Sequence, residues 1–107
     1  MIMARFEVYL TQLDPTVGAE MRKTRPCVVI TPDSMNRSLR TVIIAPLTTG
    51  GIRSPSRIVT EFKGKAAQIA LDQLRTVDKS RLLKKLGMLD AAAARAASNR
   101  LVEMFTY

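Results

Sequence analysis

Every patterned stretch between Phe6 and Val77 is short, and each ends at a Pro, a Gly or a polar pair. Phe6–Leu13 alternates Phe6, Val8 and Leu10 with Glu7, Tyr9 and Thr11, the period-two pattern of a strand buried on one face. Asp14-Pro15 turns the chain and Gly18 lies in the loop that follows. Cys27-Val28-Val29-Ile30 is a continuous apolar run, the signature of a central strand. Pro26 stands at its start, where a missing N–H does least harm. Thr41–Leu47 is rich in β-branched residues and is the next strand, closed by Thr48-Thr49-Gly50-Gly51. Arg57–Phe62 alternates again, Lys63-Gly64-Lys65 reverses it, Ala67–Leu71 follows, and Leu74–Val77 is a weaker strand.

Helical signals are confined to three places. Thr31-Pro32-Asp33-Ser34 reads as a cap with Pro at the first helical position, giving a short helical turn. Asp78–Leu82 reads as another. At Asp90 the chain changes character: an N-cap precedes Ala91–Ala97, a run of high helix propensity. Ala94, Ala97, Leu101, Met104 and Phe105 then share one helical face, predicted to pack on the sheet. The expected fold is mainly β with α: a small barrel-like β domain with a C-terminal α-helix, a single domain over residues 1–107.

Composition removes whole classes of chemistry. The chain has 107 residues with no His, one Cys and a hydrophobic fraction of 47%. About two-thirds of the unfolded surface of such a chain is buried on folding, so one modest core is expected. Without His there is no Ser-His-Asp triad, no Cys-His pair and no HExxH metal site. The lone Cys27 supports neither an intrachain disulfide nor a Cys-rich zinc site, and reads as a buried strand residue. No metal site and no cofactor are expected. The N-terminal residues lack the apolar stretch of a signal peptide, and no run approaches the roughly 18 apolar residues of a membrane span. A soluble, cytoplasmic protein with no membrane partner follows as the expectation. Any catalysis falls to Arg, Lys, Asp, Glu, Ser, Thr or Tyr.

Charge points to a polyanion. The formal net charge is +8, from 17 Lys and Arg against 9 Asp and Glu. It concentrates in residues 51–85, where nine basic residues face three acidic ones (Glu61, Asp72 and Asp78). Such a cationic segment raises the local concentration of nucleic acid. Eleven of the 17 basic residues are Arg, which suits forked phosphate contacts. The five aromatics, Phe6, Tyr9, Phe62, Phe105 and Tyr107, are too few for an extended base-stacking platform.

Three blocks carry a resemblance. Glu7-Val8-Tyr9, then Leu13 to Glu20 (LDPTVGAE), then Lys23 to Ile30 (KTRPCVVI) resemble the N-terminal signature of the MazF/PemK (Kid) toxin family. Val42 to Thr49 (VIIAPLTT) is similar to that family's second conserved strand. Gln68, with Leu71 to Leu82 (LDQLRTVDKSRL), resembles its third block. The blocks come in the family's order and span nearly the whole chain. One departure precedes Glu7, where Phe6 stands in place of the Gly-Asp or Gly-Glu turn of many relatives. The resemblance implies an SH3-like (Kid/CcdB-type) β-barrel acting as a homodimer. It implies the toxin of a type II toxin–antitoxin system: a sequence-specific, metal-independent endoribonuclease. Such an enzyme cuts single-stranded RNA to a 2′,3′-cyclic phosphate and a 5′-hydroxyl. Its antitoxin lays an acidic, flexible segment across the RNA groove. The alternative is a CcdB-like gyrase inhibitor on the same fold, which lacks the Lys23-Thr24-Arg25-Pro26 block.

The resemblance also directs attention to residues. RNA scission by its own 2′-hydroxyl needs a proton acceptor, a stabiliser of phosphorane charge and a proton donor for the leaving 5′-oxygen. Arg25, between a polar loop and a buried strand, is the first candidate. A guanidinium keeps its proton at neutral pH, so its part is stabiliser or general acid. Thr48, at a strand end, would orient a phosphate oxygen, with Thr49 beside it. The acceptor stays open among Glu20, Lys23 and Asp72. Gln73 offers both donor and acceptor to a base edge. Lys23, Thr49, Arg53, Arg57, Gln73 and Arg75 are the expected RNA-binding set.

Overall fold

The computed structural model describes residues 2–107; Met1, the first residue of the stretch read for a leader, lies outside the described residues. The chain runs β1 (Glu7–Gln12), β2 (Thr24–Val29), α1 (Asp33–Ser38), β3 (Thr41–Thr48), β4 (Arg57–Phe62), β5 (Lys65–Ala70), β6 (Arg75–Asp78), β7 (Leu82–Met88) and α2 (Ala91–Phe105). Single 3₁₀ turns occupy Leu71–Gln73 and Lys79–Arg81, the second capped by the Asp78 carboxylate, which accepts from Ser80 N–H at 2.9 Å. The strands form one curled antiparallel sheet in the order β4-β5-β3-β2-β1-β7, with β6 paired to β3. This is the mainly β fold with a C-terminal helix that the pattern of short strands predicts.

The sheet buries both faces, which one-sided alternation does not anticipate. Val8, Val28, Ala45, Leu47, Ile58, Ile69 and Leu71 meet α2 through Ala93 and Ala97. On the opposite face Met3, Tyr9, Leu13, Cys27, Val29, Val42, Ile44, Val77 and Leu82 form a second cluster. Glu7, Tyr9 and Thr11, read from the sequence as the solvent side of β1, are therefore buried, at 6%, 3% and 0% exposed. A curled sheet closes over its concave side, so a strand flanked on both edges, as β1 is by β2 and β7, has no wet face. The buried Glu7 carboxylate is satisfied by Ala4 N–H at 2.6 Å, by the Tyr9 hydroxyl at 3.2 Å and by Lys85 across the β1–β7 pair. Burial alone would raise its pKa. The hydrogen bonds from Lys85, Ala4 and Tyr9 outweigh that and hold it below the usual value. The same burial and the neighbouring Glu7 charge push the Tyr9 phenol up to about 12.

Three further differences have local causes. β7 carries no readable alternation (LLKKLGM), and it exists because its backbone pairs with β1, with register irregularities between Val8 and Tyr9 and between Leu10 and Thr11. The α1 N-cap is Pro32, not Thr31; the Thr31 hydroxyl donates instead to Asn36 Oδ1 at 2.7 Å, fixing a fully buried Asn36. On α2, Ala93 and Ala97 are buried while Met104 and Phe105, expected on the packed face, are exposed at 39% and 71%. The buried residues of this 15-residue helix lie in its first half, and its last turn leaves these side chains uncovered.

Phe6 answers for its departure from the Gly-containing turn. It adopts φ 70°, a left-handed conformation that costs a non-glycine residue about 1–2 kcal/mol. Backbone bonds from Phe6 N–H to Val29 O (2.7 Å) and from Leu89 N–H to Phe6 O (3.0 Å) hold it there. The Arg5 guanidinium sits 5.0 Å over its ring centroid.

Candidate active site

The site begins where the β2–β3 ladder ends. β2 and β3 pair through Val29↔Ile44, Val28↔Ala45 and Cys27↔Pro46, and no further. Beyond Pro46, β3 takes β5 as its partner through Leu47↔Ile69 and Thr48↔Gln68. Continued two residues on, the β2–β3 register sets Arg25 opposite Thr48, on the two lips of the opening. Pro26 lies inside β2, not before it, opposite Leu10 of β1. It is tolerated because the ladder to β3 has already stopped on its other side.

A cleft of about 340 Å³ occupies this opening. It is lined by Arg22, Lys23, Thr24, Arg25, Pro26, Leu47, Thr48, Thr49, Phe62, Lys65, Ala66 and Ala67. The half-buried Arg25 is anchored by its own Nε, which donates to Arg22 O at 3.0 Å. The Thr48 hydroxyl closes a tight turn, donating to Gly50 O at 3.1 Å and accepting from Gly50 N–H at 3.4 Å. Lys23 adopts φ 69° just before the strand, and its carbonyl accepts from Leu13 N–H at 2.9 Å. The structure thus brings together Arg25, Thr48, Lys23 and Thr49.

It does not bring Glu20, Asp72, Gln73 and Arg75 into that cleft. These four line a second one, of about 370 Å³, with Leu13, Val17, Ala19, Met21, Pro46 and Leu74. Its polar groups are already occupied. Asp72 receives a bidentate pair from Arg57, Nε at 2.6 Å and Nη2 at 3.1 Å. That guanidinium holds the Asp72 carboxyl below the usual carboxylate range, against the opposing effect of partial burial. Gln73 Oε1 accepts from Met21 N–H at 3.3 Å, Arg75 Nη1 donates to Leu13 O at 2.6 Å, and Glu20 Oε1 accepts from Val17 N–H at 2.6 Å.

Arg53 and Arg57 line a third, wider cleft of about 760 Å³, which shares Thr49, Ala66 and Ala67 with the first. Gln68 lines it too, its Oε1 buried without a hydrogen-bond partner. The cationic segment is accordingly less available than its charge count implies. Arg57, Arg75, Lys79, Arg81 and Lys85 hold internal acceptors. No such bond is made by Arg53, Lys63, Lys65 or Lys84 among the described residues. Cys27 is fully buried, and burial pushes its thiol up to about 12, so it is a neutral core residue. No cluster of three His, Cys, Asp or Glu side chains is placed to hold a metal ion, and no helix is long and apolar enough to cross a membrane, among the described residues.

The model of a known family, the PemK-like, MazF-like toxins of type II toxin–antitoxin systems, matches residues 4–105. The chain belongs to that family. It is 36% identical over 106 residues to the endoribonuclease MazF of Staphylococcus epidermidis, covering 94% of this chain and 88% of that protein. MazF of Deinococcus radiodurans superposes with a TM-score of 0.86 at 18% identity, over 100% of this chain and 99% of that one. A MazE–MazF structure from the same organism superposes with a TM-score of 0.79 at 16% identity, over 99% and 97%. The family match covers all three blocks on which the resemblance was drawn and disfavours the gyrase-inhibitor alternative.

Proposed function

We propose that this MazF-type toxin, an endoribonuclease, cuts single-stranded RNA at a short sequence motif without a metal ion, with its chemistry in the Arg25–Thr48 cleft. The observation that carries this reading is the end of the β2–β3 ladder at Cys27–Pro46, with a tethered guanidinium and a hydroxyl on its two lips. A guanidinium so placed grips two non-bridging phosphate oxygens as charge grows on them. The 2′-hydroxyl gives up its proton, its oxygen bonds to phosphorus, and the 5′-oxygen leaves with a proton. A 2′,3′-cyclic phosphate and a 5′-hydroxyl remain.

Thr48 steadies one phosphate oxygen, and Lys23, Thr49 and Arg53 hold neighbouring RNA. Among the acceptor candidates, Asp72 is the poorest, because both its oxygens face Arg57 and its basicity is lowered. Glu20 is the other carboxylate candidate. It is exposed but lines the neighbouring cleft and is bonded to Val17 N–H, so it reaches the 2′-hydroxyl only if the loop from Asp14 to Lys23 swings toward Arg25. Lys23, by contrast, lines the Arg25 cleft itself. Arg57, Gln73 and Arg75 shape the flanking clefts and set the preferred sequence.

The cations that line the cleft, Arg22, Lys23, Arg25 and Lys65, suit an acidic, flexible antitoxin segment that competes with RNA. The exposed apolar side chains of Val59 on β4 and of Val102 and Phe105 on the neighbouring α2 suit a homodimer contact. The toxin acts in the cytoplasm, where its RNA is.

The test is a long RNA incubated with the protein in EDTA, with cut sites and end groups mapped. Cleavage at a recurring motif with cyclic-phosphate ends is expected. Cleavage only after a divalent metal is restored, or ends bearing a 5′-phosphate, would overturn the reading.

A further inference from the structure

The Arg25–Thr48 cleft has one aromatic wall, and neither the charge pattern nor the family blocks single it out. Phe62 ends β4 and pairs with Lys65 across a two-residue turn, Lys63 at φ 51° and Gly64 at φ 78°. Positive φ at both turn residues is the geometry that lets a two-residue loop match the twist of its strands. The turn therefore fixes the Phe62–Lys65 pair, both of which line the cleft. Gly87 of β7 lies against the ring: a Cβ there would stand 3.3 Å from Phe62 Cζ and 3.4 Å from Cε1. A side chain at position 87 would force the ring to shift.

With Phe62, the apolar side chains of Leu47, Ala66, Ala67 and Pro26 line this cleft, and the cationic Arg22, Lys23, Arg25 and Lys65 line it too. A half-buried aromatic ring sharing a cleft with apolar and cationic side chains matches one nucleotide, with its base on the ring and its phosphate on the cations. A volume of about 340 Å³ is at the small end of ligand sites, which run from about 300 to 1,000 Å³.

We infer that Phe62 is the stacking surface for a single RNA base beside the scissile phosphate, held in place by the missing side chain at Gly87. This inference rests on the endoribonuclease reading and deepens it. Arg25 would fix the phosphate and Phe62 the adjoining base, so register along the strand is set from two sides.

Aromatic stacking separates from mere packing by substitution. Phe62→Leu keeps an apolar side chain in the core contact but removes the π face, whereas Phe62→Tyr keeps it. The probe is a short 2′-O-methyl RNA oligonucleotide, which cannot be cleaved, titrated at fixed salt with each variant after thermal melting confirms folding. Phe62→Leu is expected to bind at least about tenfold more weakly, and Phe62→Tyr within about threefold of wild type. The slope of log affinity against log salt should be the same for all three, since phosphate contacts are untouched. An abasic nucleotide at the stacked position should erase the Phe62→Leu penalty. Equal binding by wild type and Phe62→Leu, equal weakening in Phe62→Tyr, or no binding by wild type would overturn the inference. Because only binding is read, these outcomes are distinct from a failure of wild type to cut RNA in EDTA.

Discussion

Two clefts are lined by consecutive residues of β3, Pro46 for one and Leu47 for the other, and they differ in what their charges are doing. The Arg25–Thr48 cleft opens where two strands part, and its cations Lys23 and Lys65 make no side-chain hydrogen bond or ion pair among the described residues. In the Glu20–Asp72 cleft nearly every polar side chain is engaged by the protein itself: Asp72 with Arg57, Gln73 with Met21, Arg75 with Leu13. Charge count gives the second cleft as good a claim to chemistry as the first. Hydrogen-bond bookkeeping gives it a different one, as a scaffold that holds the loop from Leu13 to Lys23 against β6.

The sharpest way to break this contrast is at Arg25. Arg25→Lys keeps the charge but loses the fork, and is expected to lower single-turnover cleavage by about 10²-fold, near the loss from removing an oxyanion donor. A loss of less than about threefold would show that a point charge suffices.

Next comes the Asp72–Arg57 pair. Asp72→Ala leaves a guanidinium that is only 8% exposed without its partner, and should cost about 1–3 kcal/mol of stability in denaturant unfolding. Acid sharpens the same point. The folded state keeps Asp72 ionised to lower pH than the unfolded chain does. Its stabilisation is therefore present above the ordinary carboxylate range and is lost as pH falls through the depressed folded value. Asp72→Asn should show a shallower loss of stability below about pH 4. An identical acid profile would mean that the pair contributes nothing.

Thr48→Ala should be milder than any change at Arg25, about tenfold in rate, because it removes one neutral hydrogen bond worth about 1 kcal/mol and frees the Gly50 turn. The smallest effect belongs to Cys27. With its thiol raised to about 12 and fully buried, it should resist alkylation at pH 8 in the native protein and react only on unfolding. Rapid native labelling would place it outside the core.

Much of this was legible in the residues. The β-branched runs at Cys27–Ile30 and Thr41–Leu47 announced central strands because their burial is nearly continuous, and Asp90 announced α2 because its carboxylate does cap Ala93 N–H, at 2.8 Å. Arg25 and Thr48 were legible through the family blocks. β7 was not, since Leu, Lys and Gly carry no strand preference and the pairing with β1 supplies the order. The internal engagement of Arg75 and Arg81 was hidden for another reason. Their acceptors are the carbonyls of Gln12, Leu13 and Asp14, more than sixty residues away, and a backbone carbonyl leaves no mark in composition. Phe62 was hidden the same way, because its neighbour Gly87 sits on that unread strand.

One side-by-side measurement tests the central claim most directly: single-turnover cleavage of the same RNA in EDTA by Arg25→Ala and Asp72→Asn. Chemistry seated between β2 and β3 predicts a loss of at least about 10²-fold for Arg25→Ala and less than about tenfold for Asp72→Asn. The reverse order, with Asp72→Asn inactive and Arg25→Ala cutting near the wild-type rate, would contradict it.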